Sequence, residues 1–416
     1  MRIVTAVKCL TGLAAAMWLA GAMPARAEDA ASPPPDPTRG QWDAFLDPLR
    51  DFEDSAITGT QKSIEDATKI HIGAGFTEAY MWDFNNPRSG SLIALHSIEH
   101  HNDGVPAFSQ LSFGRPSDGW WVPGFGLKLD AGKGARDIKS DWNGNGGVRH
   151  GDTFETNDFD AEEAYLYYTL ADTGTPLDGL NVKGGKFVTT AGAEVIEPWL
   201  NYNFSRSFLF GLAIPFTHTG VLATYPITDK LSVGGGLVAG WDQVASNNNS
   251  PTFMTNAAWT ATDQISLAGT ILYGPSQTNN VGNKRQLYDL VATLKPCDPL
   301  TVVLNYDYGQ EDEASLSGGT AKWQGFAAIA NYQFTDRFSV ALRGEWFEDH
   351  GGSRTGTRQT LYEGTATAKY LITQHLYGQL EARRDNGSRD TFEDGSHGEL
   401  AGGQTIFGMA VGWVFN

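Results

Sequence analysis

The sequence predicts an all-β fold, a transmembrane antiparallel β-barrel of about sixteen strands. From about Lys69 to the last residue, segments of roughly ten residues alternate apolar and polar side chains, as strands with one apolar face do. The joins between them are alternately short turns and long polar loops, as at the two rims of an outer-membrane barrel. After residue 27 the sequence has no apolar run of about 18 residues, which excludes transmembrane helices.

Composition agrees with this fold class and excludes one class of partner. The 416 residues contain 30 Lys and Arg against 48 Asp and Glu, for a net charge of -18. Such acidity argues against a nucleic-acid partner. A charged fraction of 19%, with 12% aromatic residues and 49 Gly, favours a β-rich chain over a helical bundle.

The first 27 residues have the features of a cleaved signal peptide. A cationic start with Arg2 and Lys8 precedes the mainly apolar run Leu10 to Met23, and Ala25-Arg26-Ala27 matches the small-x-small cleavage pattern. We expect cleavage after Ala27, with an uncleaved anchor as the alternative.

Residues 28–68 do not follow the barrel pattern. The run from Ser32 to Pro37 contains four prolines, which predicts a stiff extended spacer. The rest of this stretch could hold a short helix. We therefore expect a periplasmic tail of low order or short helix, with a partner-docking segment as the alternative, followed by an outer-membrane barrel over 69–416.

Alternation also predicts where each strand lies. Leu304, Tyr306 and Tyr308 share one face, and Asn305 and Asp307 share the other. We expect the last strand to close onto the first, because an open sheet edge is too costly in lipid. The predicted strands are 69–84, 107–115, 124–134, 161–171, 178–189, 214–226, 229–241, 252–261, 263–274, 285–296, 299–310, 321–334, 336–348, 358–371, 375–385 and 403–416.

Aromatic residues near strand ends support a membrane barrel over a soluble sandwich. Rings that are apolar on one side and polar on the other are favoured at lipid headgroups. Ordinary core aromatics are the alternative interpretation. The residues predicted to form these girdles are Tyr225, Trp241, Trp259, Tyr273, Tyr308, Trp323, Phe334, Trp346, Tyr370 and Trp413.

One stretch carries a more specific resemblance. It consists of Gly185-Lys186-Phe187, Gly192-x-Glu194-Val195-Ile196, Asn203-x-Ser205-Arg206-Ser207-x-Leu209-Phe210, Pro215 to Val221 and Gly240-Trp241-Asp242. With these residues the chain resembles the β-barrel porin family of OmpL-like outer-membrane proteins and, more distantly, is similar to phosphate-selective porins.

The resemblance implies a water-filled diffusion channel in the outer membrane of a Gram-negative bacterium, without a catalytic centre. Its expected partners are outer-membrane lipid and lipopolysaccharide, and small hydrophilic solutes or ions that pass through. A homotrimer is a further expectation, since homotrimers are common among sixteen-strand porins. The identity of the solute does not carry over from the family.

Strand parity predicts which charged side chains face the lumen. A Lys or Arg on the lipid face near the midplane would cost about 2–4 kcal/mol, so we expect charges to point inward. The main candidates are Lys128, Asp130, Lys183, Asp307, Arg343, Glu345, Glu381 and Arg383, with Glu163, Asp289, Lys295, Glu363 and Lys369 as further members.

The long join from Thr189 to Phe210 is the candidate constriction. It contains Glu194, Glu197 and Arg206 within the family-like stretch, and Lys186 lies just before it. We hypothesise that the join folds into the channel and that its carboxylates and arginine form opposed charges there. An ordinary surface loop is the alternative.

Two clusters could bind metal. Asp141, Asn143, Asn145 and Asp152 have the spacing of a twelve-residue calcium loop, although the last position is Asp rather than Glu and helical flanks are lacking. A metal-free surface loop is the preferred interpretation. The cluster of His96, Glu99, His100, His101 and Asp103 could bind a transition metal, and otherwise no cofactor is expected.

Three classes of function remain open at this point. A passive porin is the leading interpretation. The alternatives are a barrel enzyme of the phospholipase or protease type, or an adhesin that binds through acidic loops. No spacing of Ser, His and acidic residues singles out a catalytic triad, so we expect no enzymatic activity.

Overall fold

The chain folds into a closed antiparallel β-barrel of sixteen strands, as predicted. The computed structural model describes residues 53, 58–87, 105–118, 122–141, 158–171, 174–395 and 399–415. The predicted signal peptide lies outside these residues, as does most of the predicted tail. No helix in the described ranges is long and apolar enough to cross a membrane.

Each predicted strand corresponds to one strand of the barrel. Beyond these, the join after β15 contains a two-stranded hairpin, β16 (Phe392–Asp394) and β17 (Glu399–Ala401). The barrel strands are β1 (His71–Asp83), β2 (Val105–Arg115), β3 (Gly124–Ala131), β4 (Phe159–Thr169), β5 (Asn181–Val188), β6 (Thr217–Thr228), β7 (Leu231–Val238), β8 (Thr252–Thr262), β9 (Ile265–Pro275), β10 (Lys284–Cys297), β11 (Leu300–Glu311), β12 (Ala321–Gln333), β13 (Phe338–Asp349), β14 (Gln359–Leu371), β15 (Leu376–Gly387) and β18 (Gly403–Phe415).

The first and last strands close the barrel. β1 pairs with β18 from Ala74 opposite Phe415 to Asp83 opposite Ile406, and β2 lies on the other side of β1. The joins alternate in length, with two residues between β6 and β7 and a long segment between β5 and β6. The predicted closure and the predicted difference between the two rims are both confirmed.

Two short helices accompany the barrel strands. The helix α1 (Gly59–Thr68) precedes β1, and α2 (Lys133–Ile138) follows β3. Upstream of α1, Glu53 is buried at the short-turn rim. Its carboxylate accepts hydrogen bonds from Thr373 Oγ1 at 3.0 Å and Trp413 Nε1 at 3.2 Å. This contact ties the chain before β1 to the turn before β15 and to β18.

The outward face is apolar along most of the wall, as lipid requires. Phe253, Ile271, Leu342 and Val411 are typical exposed members. Of the predicted girdle residues, Trp259, Tyr273 and Tyr370 are exposed on this face. The prediction is wrong for Trp323 and Trp241. Trp323 is fully buried on the inward face, where its ring meets that of Trp241 at 6.1 Å between centroids.

A β-bulge changes which residues of β4 face inward. The register between β3 and β4 shifts next to Lys128, so that Glu162 is the extra residue. Strict alternation from Glu163 would place Asp160 and Glu162 on the lipid face. Instead Glu162 accepts a hydrogen bond from the inward side chain of Gln110 at 3.0 Å. The bulge therefore adds carboxylates to the lumen that parity does not predict.

The acidic residue Glu78 departs from the expectation that acids point inward. Glu78 lies on the outward face of β1, opposite Val411 of β18. The outward rings of Phe76 and Trp82 lie on the same strand, before and after Glu78 along the chain. The carboxylate of Glu78 is therefore located between two aromatic levels of the lipid-facing surface.

Candidate functional site

The join between β5 and β6 folds into the barrel and packs against its wall. We call residues 189–216 the lumen segment. It contains a 3₁₀ helix (Pro198–Leu200) and a π-helical turn (Leu209–Ala213). Most of its side chains are buried. Because β5 ends and β6 begins at the long-loop rim, the segment enters and leaves the lumen from that side.

Neutral hydrogen bonds attach the start of the lumen segment to the wall. Thr270 of β9 donates its hydroxyl to the carbonyl of Thr190 at 2.9 Å. Two strands further on, the amide of Ala193 donates to Asn305 Oδ1 at 3.0 Å. Side chains of the wall thus supply the hydrogen bonds that these backbone groups would otherwise form with water.

Arg343 of β13 anchors the middle of the lumen segment. Its guanidinium donates to Glu194 at 2.8 Å, to the carbonyl of Ser205 at 2.7 Å and to Glu363 of β14 at 2.9 Å. Arg343, Glu194 and Glu363 are all buried. A buried guanidinium needs such partners, because an unpaired charge away from water is costly.

A second ionic anchor lies across the lumen, at Lys128 of β3. Its ammonium forms ion pairs with Glu162 and Glu163 of the wall, each at 3.2 Å, and with Glu197 of the lumen segment. The bulge in β4 places both wall carboxylates on the same side of the strand. Glu194 and Glu197, only three residues apart, therefore reach opposite regions of the wall.

Two wall carboxylates bind backbone amides of the segment. Glu345 of β13 accepts hydrogen bonds from the amides of Phe208 and Leu209, both at 2.6 Å. Glu381 of β15 accepts from the amides of Phe204 and Ser205 at 3.1 and 3.3 Å. Hydrogen bonds to a charged acceptor are stronger than neutral ones. These inward acids therefore position the backbone of the segment.

Glycines in the wall make room for aromatic residues of the segment. A Cβ atom at Gly75 of β1 would lie 2.2 Å from the indole of Trp199. A Cβ atom at Gly408 of β18 would lie 2.5 Å from the ring of Phe204. Because these two glycines lack a side chain, the rings of Trp199 and Phe204 can pack directly against the backbone of the adjacent strands β1 and β18.

The predicted constriction residues occupy different surroundings. Glu194 and Glu197 pair with wall cations rather than with Arg206. The guanidinium of Arg206 donates to the carbonyl of Ile196 and lies 5.0 Å from the ring of Phe210. Lys186 pairs with Asp160 of β4 at 2.8 Å. The opposed charges of the segment carboxylates thus include two wall cations, Arg343 and Lys128, which the hypothesis did not assign to them.

The predicted lumen charges fall into a few groups. Lys128, Arg343, Glu345 and Glu381 contact the segment, as described above. Arg383 pairs with Asp385 at 2.8 Å and donates to the carbonyl of Arg206. The remaining three lie on the wall: Asp130 accepts from Gln110 at 3.0 Å, Lys183 lies 4.3 Å from the ring centroid of Tyr165, and Asp307 is buried opposite Asp289.

The lumen segment makes the two sides of the lumen unequal. Inward residues of β11–β15 are almost all buried beneath it. On β6–β9 the inward residues nearer the long-loop rim, such as Met254 and Leu272, are buried as well, whereas those nearer the short-turn rim, such as Asn256 and Ala268, remain partly exposed. The strands β6–β9 contain no Asp, Glu, Lys or Arg on either face. The accessible side of the lumen is therefore bordered by a neutral quarter of the wall.

The candidate metal residues are only partly described. The amide of Asp141 donates to the carbonyl of Asp242 at 2.8 Å, while Asn143, Asn145 and Asp152 lie outside the described residues, as does the cluster around His96. Within the described ranges no group of three or more His, Cys, Asp or Glu side chains is placed to hold a metal.

Comparison with solved structures finds outer-membrane barrels. OprB of Pseudomonas putida has a TM-score of 0.56 at 10% identity and covers 86% of this chain and 97% of its own. The channel DcaP of Acinetobacter baumannii gives 0.53 at 12%, with 83% and 97% covered. A trimer form of the outer-membrane protein OmpT of Vibrio cholerae gives 0.53 at 10%, with 83% and 99% covered.

The sequence itself is matched by one family. No curated protein matches the chain. The model of the family described as putative beta-barrel porin-2, OmpL-like, matches residues 69–415, which is nearly the whole barrel. The chain belongs to this family of outer-membrane porins.

Proposed function

We propose that the protein is an outer-membrane porin whose water-filled channel is narrowed by the lumen segment and passes ions and small hydrophilic solutes by passive diffusion. The observation that carries this proposal is a closed barrel of sixteen strands with charged and polar residues on its inner face. A barrel of this strand number is too wide for wall side chains alone to fill.

The arrangement of the lumen segment supports a narrowed passage rather than a sealed one. The segment covers the inward side of β11–β15, where its ion pairs and hydrogen bonds are found. The inward side of β6–β9 keeps partial access to solvent in the half nearer the short-turn rim. Solutes would therefore pass between the segment and this neutral quarter of the wall. Few fixed charges lie there, so solutes would not be bound strongly enough to delay their exit.

Conductance and solute uptake test the channel directly. Purified protein in planar bilayers should give stepwise, ohmic conductance in KCl, and liposomes that contain it should swell in small sugars. An enzyme barrel or an adhesin would leave both membranes impermeable. Absence of both signals from folded, heat-modifiable protein would contradict the proposal.

Membrane partners follow from the same function. We propose that the apolar outward face contacts outer-membrane lipid, with lipopolysaccharide at the long-loop rim, and that three copies associate as a homotrimer. Glu78 supports association, because a carboxylate between the aromatic levels would be poorly solvated by acyl chains. The surface of a neighbouring copy could supply polar groups there.

Cross-linking in mild detergent should therefore give a trimeric band. When samples are heated before the cross-linker is added, the variant Glu78→Leu should lower the temperature at which the trimeric band is lost. Leu342→Ala, a change at an exposed apolar position on β13, serves as a control. Purely monomeric protein in several mild detergents would contradict the trimer. A trimer band that resists heat better in Glu78→Leu would place Glu78 against lipid instead.

A further inference from the structure

Two buried carboxylates face each other beneath the start of the lumen segment. Asp289 of β10 and Asp307 of β11 are directly opposite in the antiparallel ladder. Both point inward, and their exposed fractions are 6% and 0%. Opposite residues in such a ladder have Cβ atoms about 4.5–5.5 Å apart, so the two negative groups are close neighbours.

These carboxylates are not neutralised by a basic side chain. Neither forms an ion pair with Lys, Arg or His of the described residues, although Arg285, which lies on the same strand as Asp289, pairs with Glu311. The other charged group that acts on Asp307 is the carboxylate of Glu345. The surroundings of the pair therefore add negative charge instead of balancing it.

Most of the carboxylate oxygens also lack hydrogen-bond donors. Both oxygens of Asp307 and Oδ1 of Asp289 are buried without a partner. Oδ2 of Asp289 accepts from Asn305 Nδ2 at 2.8 Å. Buried polar atoms in native proteins nearly always have partners. The two carboxylates also lie within hydrogen-bond reach of each other. A buried pair of this kind needs a positive charge between its oxygens, which either a shared proton or a bound cation supplies.

The lumen segment covers this pair. Thr270 lies opposite Asp289 on the neighbouring strand β9 and bonds to Thr190 of the segment. The backbone amide of Gly192 is directed at Asp289, and Asn305, which binds Asp289, also accepts the amide of Ala193. A ligand of the two carboxylates would therefore lie where the segment first crosses the wall.

We propose that Asp289 and Asp307 bind a calcium ion between the barrel wall and the lumen segment. Calcium prefers carboxylate and other oxygen ligands and accepts irregular coordination completed by water. Its two positive charges match the two carboxylates. Bound calcium would remove their mutual repulsion and secure the beginning of the segment.

Calorimetric titration of the folded, chelator-treated protein with CaCl₂ tests the site. The wild-type protein should bind calcium with saturation, and its melting temperature should rise when calcium is added. Asp307→Asn and Asp289→Asn should each lose this response. The double variant Asp141→Asn/Asp152→Asn and the turn variant Asp263→Asn should keep it, which separates the proposed site from the calcium-like loop and from surface binding.

Three outcomes would overturn the proposal. The first is a wild-type protein that shows neither binding heat nor a thermal shift at millimolar calcium. The second is a response that survives both Asp289→Asn and Asp307→Asn but is lost in the loop variant. The third is calcium-free protein that is stabilised by mild acid and indifferent to calcium, which would indicate a shared proton. If one Asn variant fails to fold, the other and the wild-type titration still decide.

Discussion

Replacing residues 194–206 with a four-residue Gly-Ser linker should raise single-channel conductance roughly two-fold or more, because it removes the part of the lumen segment that crosses from Arg343 to Lys128 and back. The same change should shift ion preference, because Arg343 and Lys128 lose their partners Glu194 and Glu197 and the lumen becomes less negative. Planar-bilayer recordings in KCl, with a salt gradient to measure reversal potential, give both quantities.

The structure shows that so short a linker suffices. Ala193 is held at Asn305 of β11, and the amide of Phe208 is held at Glu345 of β13. Asn305 and Glu345 lie on one row of the sheet, each opposite Ala327. Two strand spacings make about 10 Å, and four extended residues reach about 13 Å.

A charge-only variant separates the effect of volume from that of charge. Glu194→Gln/Glu197→Gln keeps the size of both side chains, so its conductance should change much less than that of the linker variant. Its reversal potential should still shift. Equal conductance in the wild-type and linker channels would show that the lumen segment does not limit the passage.

Substituting Arg343 should give the largest loss of stability from a single side chain. In Arg343→Met the carboxylates of Glu194 and Glu363 stay buried without their cation, and Glu345 and Glu381 are close by. Breaking a buried ion pair by removing one partner costs about 3–5 kcal/mol. We therefore expect a marked decrease in the free energy of unfolding, measured by urea titration in detergent or lipid.

Two further variants make this expectation specific. Arg384→Met changes an arginine that is exposed on β15 and should alter the free energy of unfolding little. Adding Glu194→Gln and Glu363→Gln to Arg343→Met should restore part of the loss, because the unpaired charges are then gone. Equal unfolding curves for Arg343→Met and Arg384→Met would contradict the role of Arg343 as an anchor.

Much of the barrel could be predicted because lipid imposes a simple rule on each strand. Outward residues must be apolar, so the two-residue period is visible in the sequence of β11 and β18 alike. The rule is local and needs no knowledge of neighbouring strands. Strand number, closure and the alternation of short and long joins follow from counting such segments.

The exceptions arise where neighbours override the local rule. The bulge that turns Glu162 inward depends on how β4 pairs with β3, and one sequence does not show pairing irregularities. Trp241 and Trp323 resemble girdle residues by position, yet the lumen segment and Arg354 provide an interior site for their rings.

The partners of the lumen segment were the least predictable feature. Glu194 and Arg343 are 149 positions apart, and Phe204 and Glu381 are 177 apart. No periodicity links residues over such separations. A basic side chain on the inner face could either line the open channel or form an ion pair with the lumen segment. Only its position in three dimensions distinguishes these two roles.

The separation in sequence between the lumen segment and its anchors also determines when, during folding, the segment can be fixed in place. The segment follows β5, but Arg343 and Glu345 belong to β13 and Glu381 belongs to β15. Lys369 of β14 also donates to the carbonyl of Trp199 at 3.1 Å. An intermediate that has inserted only the amino-terminal half of the wall can hold the segment at Lys128 of β3, but it lacks the anchors on β13 and β15 that fix residues 194 and 204–209. Seating of the constriction must therefore be among the last events of biogenesis, and a barrel stalled before completion would present this loop unsecured to proteases.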